Sequence, residues 1–146
     1  MTTKIYTHIL LAADLTDENN EDVPAKARAL ADAFGAKLSF LHVVESIPNY
    51  GFIGIAELED KLLEEGKQRL AELAKTFGVP EQDQWIVMGS AKQEIIHAAK
   101  ELKCDLIVIG SHTGLHLSDI LGSTTNTVLH HAPCDVITIR HPSRKN

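Results

Sequence analysis

The chain has 146 residues, 44% hydrophobic and 23% charged, an ordinary globular composition at a length that buries roughly two thirds of the unfolded surface without a metal or disulfide staple. Lys and Arg number 14 against 20 Asp and Glu, a net charge of −6, which excludes a nucleic-acid binder relying on a general positive field. No apolar run approaches the roughly 20 residues of a membrane span, and Met1 to Tyr6 shows no secretory signal, so Cys104 and Cys134 read as reduced thiols in a cytoplasm.

In chain order, Ile5 to Ala13 contains Ile9-Leu10-Leu11-Ala12-Ala13, a short run suited to a buried strand. Val23, Ala27, Leu30, Ala31 and Phe34 then fall on one face of a helix, with Pro24 in its first turn and Gly35 at its end. Lys37 to Val44 is a second strand, and Glu45 to Gly54, with Pro48 and Gly51, a loop. A long helix spans Ile55 to Phe77, and Gly66 on its inner face predicts close packing, since a mid-helix Gly costs up to about 1 kcal/mol against Ala.

Gln84 to Met88 is a short third strand. Ser90-Ala91-Lys92-Gln93 matches a capping box before a helix whose inner face is Ile95, Ala99 and Leu102. Asp105 to Ile109 has the uninterrupted apolar run of a central parallel strand. Gly110 to Leu121 reads as a loop, Gly122 to His131 as a short helix, and Asp135 to Arg140 as the fifth strand, with His141 to Asn146 a frayed tail. Alternating strands and helices imply one domain over residues 1–146, a parallel sheet with helices on both faces.

Ligands of such sheets bind at the carboxyl ends of strands where the strand order reverses. The richest such segment is Gly110-Ser111-His112-Thr113-Gly114 through Gly122-Ser123-Thr124. Its glycines let backbone N–H groups approach phosphate oxygens, and Gly122-Ser123-Thr124 opens a helix whose N-terminus favours an anion. A glycine turn followed by a Ser/Thr helix cap is the plainer reading. Asp14 ends the first strand, as a ligand-binding acid or as an acceptor for its own turn. A receiver domain would also need an acid at the end of the third strand, where Met88-Gly89-Ser90 stands. The Gly-x-Gly-x-x-Gly, Walker and Gly-x-Ser-x-Gly patterns are missing from the sequence. His112, His116, His130, His131 and Cys134 show no zinc spacing, and His42 and His97 read as structural.

The pieces His8-Ile9-Leu10-Leu11-Ala12-Ala13-Asp14, Leu41-His42-Val43-Val44, Asp105 to His112, Leu121 to Asn126 and Val128 to Val136 together resemble a universal stress protein over nearly the whole chain. The resemblance implies an open five-stranded parallel sheet in the order 3-2-1-4-5, a Rossmann-like fold akin to the adenine nucleotide alpha hydrolases. It also implies a homodimer paired antiparallel through the last strand, Val136, Ile137, Thr138 and Ile139.

One branch of that family binds ATP through Gly-x2-Gly-x9-Gly-Ser/Thr. Carried across, Ala13 and Asp14 lie by the adenine and ribose, Val43 and Ile109 line the base, and Gly110 meets the ribose. His112 and Gly114 belong to the intervening loop, and Gly122, Ser123 and Thr124 hold phosphates. Here the pattern is Gly110-x3-Gly114-x7-Gly122-Ser123, with Thr113 where the second glycine falls. The resemblance therefore implies a stress-response protein that binds ATP or AMP, with Mg²⁺ a possible companion, and hydrolyses ATP slowly at most. The alternative it leaves open is a dimeric protein-interaction module that binds no nucleotide.

Overall fold

A computed structural model describes residues 5–15, 21–46, 53–113 and 122–142. Among these, five strands alternate with four helices: β1 (His8–Ala12), α1 (Asp22–Phe34), β2 (Lys37–Glu45), α2 (Ile55–Thr76), β3 (Gln84–Gly89), α3 (Ala91–Glu101), β4 (Leu106–Thr113), α4 (Ser123–His131) and β5 (Asp135–Pro142). A short 3₁₀ turn, Glu81–Asp83, leads into β3.

All strand pairs are parallel, in the order β3-β2-β1-β4-β5. Ala12 at the end of β1 stands opposite Leu41 of β2 on one side and Ile109 of β4 on the other. The order that the resemblance implied is the order observed.

The sheet is coated on both faces because its central strands are apolar on both. Ile9, Leu11, Leu106 and Val108 point to a core closed by Val23, Ala27 and Ala31 of α1 and Leu70 and Ala74 of α2. Leu10, Leu41, Ile107 and Ile109 point to a second core closed by Ile95 and Ala99 of α3 and Val128 of α4. Burying a side chain such as Ile107 or Leu10, both fully covered, contributes about 1.5–3 kcal/mol.

The expected helix ends are found. Gly35 adopts φ 65°, and the N–H groups of Gly35 and Ala36 return to Asp32 and Ala31, a left-handed stop for α1. Gly66 is buried against the sheet, where an added Cβ would lie 2.8 Å from Ile86 Cδ1 and 3.3 Å from His42 Cδ2.

Three expectations need correction. Gly110 to Thr113 are strand, because β5 supplies partners through to the Thr113–Pro142 pair. For the same reason β5 runs on to His141 and Pro142, and the part of the supposed frayed tail from 143 to 146 lies outside the described residues. Ser90 does occupy the N-cap of α3, but no side-chain capping bond forms there. Instead the Glu45 carboxylate accepts from the Ala91 N–H at 3.1 Å.

Candidate functional site

The strand order reverses between β1 and β4, and ligands of open α/β sheets bind at the carboxyl ends of the strands at such a switch point. Ala13 continues β1, its N–H donating to Leu41 O at 2.7 Å, and Asp14 follows, exposed. Val43, half-buried, and Ile109, buried, belong with Ala12 to the same apolar cluster on the α3/α4 face. Gly110 is turned the other way, toward α1: a Cβ there would stand 3.1 Å from Val23 Cγ2.

The first turn of α4 is drawn to this place by Thr125, whose buried hydroxyl donates to Gly110 O at 3.3 Å. Gly122 is the N-cap residue, at φ −60° and ψ 156°, and as glycine it makes no side-chain cap bond of its own. A Cβ added at Gly122 would meet nothing within 4 Å among the described residues. Ser123 is exposed and Thr124 half-buried. The helix therefore presents its first-turn N–H groups, without a side-chain cap among the described residues, and its positive dipole end beside Gly110. The contrast with α3 is direct, because its N-terminus is already occupied by the Glu45 carboxylate.

Ser111 adds a buried hydroxyl, 3% exposed, without a hydrogen-bond partner among the described residues. Such a group is normally satisfied by protein, water or a ligand.

The backbone on either side of Asp14 is held from other elements. His42 Nδ1 lies 3.2 Å from Ala13 O, and the Arg69 guanidinium, from α2, donates to Leu15 O. Burial lowers the His42 pKa, opposed by the Ala13 bond and by the charge of Asp14. The imidazole is thus neutral at neutral pH, with its proton on Nδ1, since a carbonyl can only accept.

The structure brings together Ala13, Asp14, Val43, Ile109 and Gly110 at the reversal point, and Thr125 ties the Gly122-Ser123-Thr124 turn to them. His112 is placed as a residue of β4 by its backbone, and Gly114 lies outside the described residues. Sequence reasoning missed Thr125, Arg69 and the link from His42 to Ala13. The Leu41-His42 pairing with the strand end was the available signal for His42, whereas the other two are long-range contacts.

Among the described residues no group of three or more His, Cys, Asp or Glu is placed to hold a metal ion. Burial pushes the Cys104 thiol up to about 12 and the Cys134 thiol up to about 11, which removes the thiolate a nucleophile needs. Among the described residues no helix is long and apolar enough to cross a membrane.

The strand order and the placement of α4 define a doubly wound α/β protein with a helix N-terminus beside the switch point. A model of the Universal stress protein family matches residues 5–140, and the chain belongs to that family. It is 38% identical over 139 residues to Universal stress protein A homolog 2 of Coxiella burnetii, covering 92% of this chain and 95% of that one. The structure of UspA from Lactobacillus plantarum superposes with a TM-score of 0.76 at 28% identity, covering 92% and 98% of the two chains. A universal stress protein crystallised in complex with cAMP superposes at a TM-score of 0.61 and 24% identity, covering 92% of this chain and 97% of that one, a likeness of fold.

Proposed function

We propose that this chain binds an adenine nucleotide, ATP or AMP, at the β1/β4 switch point and acts as a dimeric stress-response protein by binding rather than by catalysis. The observation that carries the reading is the glycine-led N-terminus of α4, tied by Thr125 to Gly110 and given no side-chain cap among the described residues. The residues suit the ligand. Gly122 leaves open space where a phosphate oxygen must come within hydrogen-bond reach of backbone N–H groups. The Ser111 hydroxyl, one residue beyond Gly110, is a buried donor without a partner among the described residues.

In this reading Gly122, Ser123 and Thr124 hold phosphate, and Gly110 lies against the ribose. Val43 and Ile109 flank the base, and Ala13 and Asp14 meet the nucleoside. His112, near the end of β4, and Gly114, just after it in sequence, would complete the site, and Mg²⁺ would accompany the triphosphate. The dimer would form along β5, Val136 to Ile139, in a cytoplasmic setting. The cAMP complex of a protein with this fold is in keeping with an adenine nucleotide. A second reading, a dimeric interaction module without nucleotide, draws on Thr113, which stands where the ATP-binding pattern has glycine.

The test is calorimetric titration of ATP and AMP, with and without Mg²⁺, into protein freed of carried-over nucleotide. Micromolar binding is expected, weakened at least about tenfold in Gly122→Val, a loss of roughly 1.4 kcal/mol. That variant is expected to keep its fold, because the Gly122 dihedrals suit valine and no described residue lies within 4 Å of the added Cβ. No binding up to millimolar nucleotide leaves the second reading.

A further inference from the structure

Two side chains outside the glycine pattern, from two other elements, converge on the segment carrying Asp14. His42, from β2, holds the carbonyl of Ala13 through Nδ1 at 3.2 Å. Arg69, from α2, holds the carbonyl of Leu15. These carbonyls belong to the residues immediately before and after Asp14, so the main chain on both sides of that carboxylate is anchored from other elements.

The helix that carries Arg69 also packs closely on the His42 ring. Gly66 stands one turn before Arg69 in α2, and an added Cβ there would lie 3.3 Å from His42 Cδ2 and 3.5 Å from Val44 Cγ2. The missing side chain lets α2 lie against the His42 ring, and from the same helix the Arg69 guanidinium reaches Leu15 O. An arginine bound to a carbonyl gains a charge-assisted bond, and it fixes position better than a flexible ammonium does.

We infer that His42 and Arg69 are positioning residues, which fix Asp14 so that its carboxylate reads the ribose hydroxyls of the bound nucleotide. The inference rests on the nucleotide reading above and goes further by assigning ribose selectivity to residues outside the proposed binding site. A carboxylate on a turn anchored at both sides loses little freedom when it accepts hydroxyl hydrogen bonds, whereas one on an unanchored turn must be ordered at the moment of binding. The anchors therefore affect only ligands that offer hydroxyls to Asp14.

The experiment compares ATP with 2′,3′-dideoxyATP by calorimetry in the unaltered protein and in His42→Leu, His42→Asn, Arg69→Met and Gly122→Val. Circular dichroism checks that each variant is folded. The unaltered protein is expected to favour ATP at least about tenfold, the range seen when a polar site meets a ligand lacking its partner group. His42→Leu and Arg69→Met are expected to lose most of that preference by weakening ATP while leaving the dideoxy compound within about twofold. His42→Asn, whose amide N–H reaches the same carbonyl, restores the preference. Gly122→Val weakens both ligands alike and keeps it.

A folded Arg69→Met that retains the unaltered ratio overturns the inference and leaves nucleotide binding standing. So does unaltered protein that binds both compounds equally. Absence of ATP binding in the unaltered protein overturns the nucleotide reading and this inference with it. Arg69 is a helix-surface residue, so the test survives even if His42→Leu fails to fold.

Discussion

At the amino end of the sheet, His8 is bound at both ring nitrogens. Nδ1 lies 3.2 Å from Leu102 O, and Nε2 lies 2.7 Å from the buried Ser39 hydroxyl. The carbonyl requires a proton on Nδ1, so Nε2 accepts from Ser39 and the ring is neutral. Burial, then the nearby Lys37 charge, lower its pKa, and burial lowers that of His42.

A histidine whose folded pKa lies below the unfolded value of about 6.5 takes up its proton first in the unfolded chain. Stability is therefore full above that pH and falls as pH drops from about 6.5 toward the folded pKa values, where the loss levels off. A separate loss follows below about pH 4. There Asp105 is partly buried, which raises its pKa, but the N–H groups of His8 and Thr7 and the Thr7 hydroxyl outweigh this and hold the carboxyl below its usual range. Urea midpoints at pH 7.5, 6 and 5 should decline. In His8→Gln the protein should be about 1–2 kcal/mol less stable at pH 7.5, with a shallower slope between pH 6.5 and 5. An unchanged slope would remove His8 from the account.

At the scale of elements, helix N-termini at the carboxyl end of the sheet are treated in two ways. The N-terminus of α3 is compensated by Glu45, at the end of β2, whose carboxylate reaches the Ala91 N–H at 3.1 Å. Ser90 occupies the expected N-cap position, yet its side chain makes no capping bond. The local signal Ser-x-x-Gln was legible and located the helix start correctly. The cap itself comes from a residue 46 positions earlier in the chain, and no local pattern reports that.

The same limit explains β4. Glycine-bearing chemistry after Ile109 reads locally as loop, but pairing with β5 carries the strand on to Thr113. Long-range pairing overrides local preference there. Ser90→Ala should accordingly change stability by less than about 0.5 kcal/mol. Glu45→Ala should cost about 0.5–1 kcal/mol, and less in high salt, since an exposed carboxylate at a helix N-terminus is screened. Thermal denaturation of both variants at low and high salt decides the order, and a larger loss in Ser90→Ala would restore the capping box.

For the whole molecule, the open sheet leaves β3 and β5 as its edges, and an exposed edge invites pairing. The side chains of β5 are largely engaged at home: Val136 packs on the α3/α4 core and Ile137 on the α1/α2 core, where Ile139 is buried. What β5 offers a second copy is therefore its outer row of backbone N–H and C=O groups. A parallel strand uses alternate residues toward its neighbour, so adjacent positions differ in the direction of their N–H groups. Proline removes that N–H. Of Ile137→Pro and Thr138→Pro, one should disrupt the pairing with β4 and lose the fold. The other should leave a folded chain that sediments as a monomer where the unaltered protein sediments as a dimer at micromolar concentration. Unaltered protein that is monomeric at that concentration would remove the interface altogether. A folded proline variant that stays dimeric would move it to another surface, with the β3 edge, where Trp85 is 40% exposed, the next to be tested.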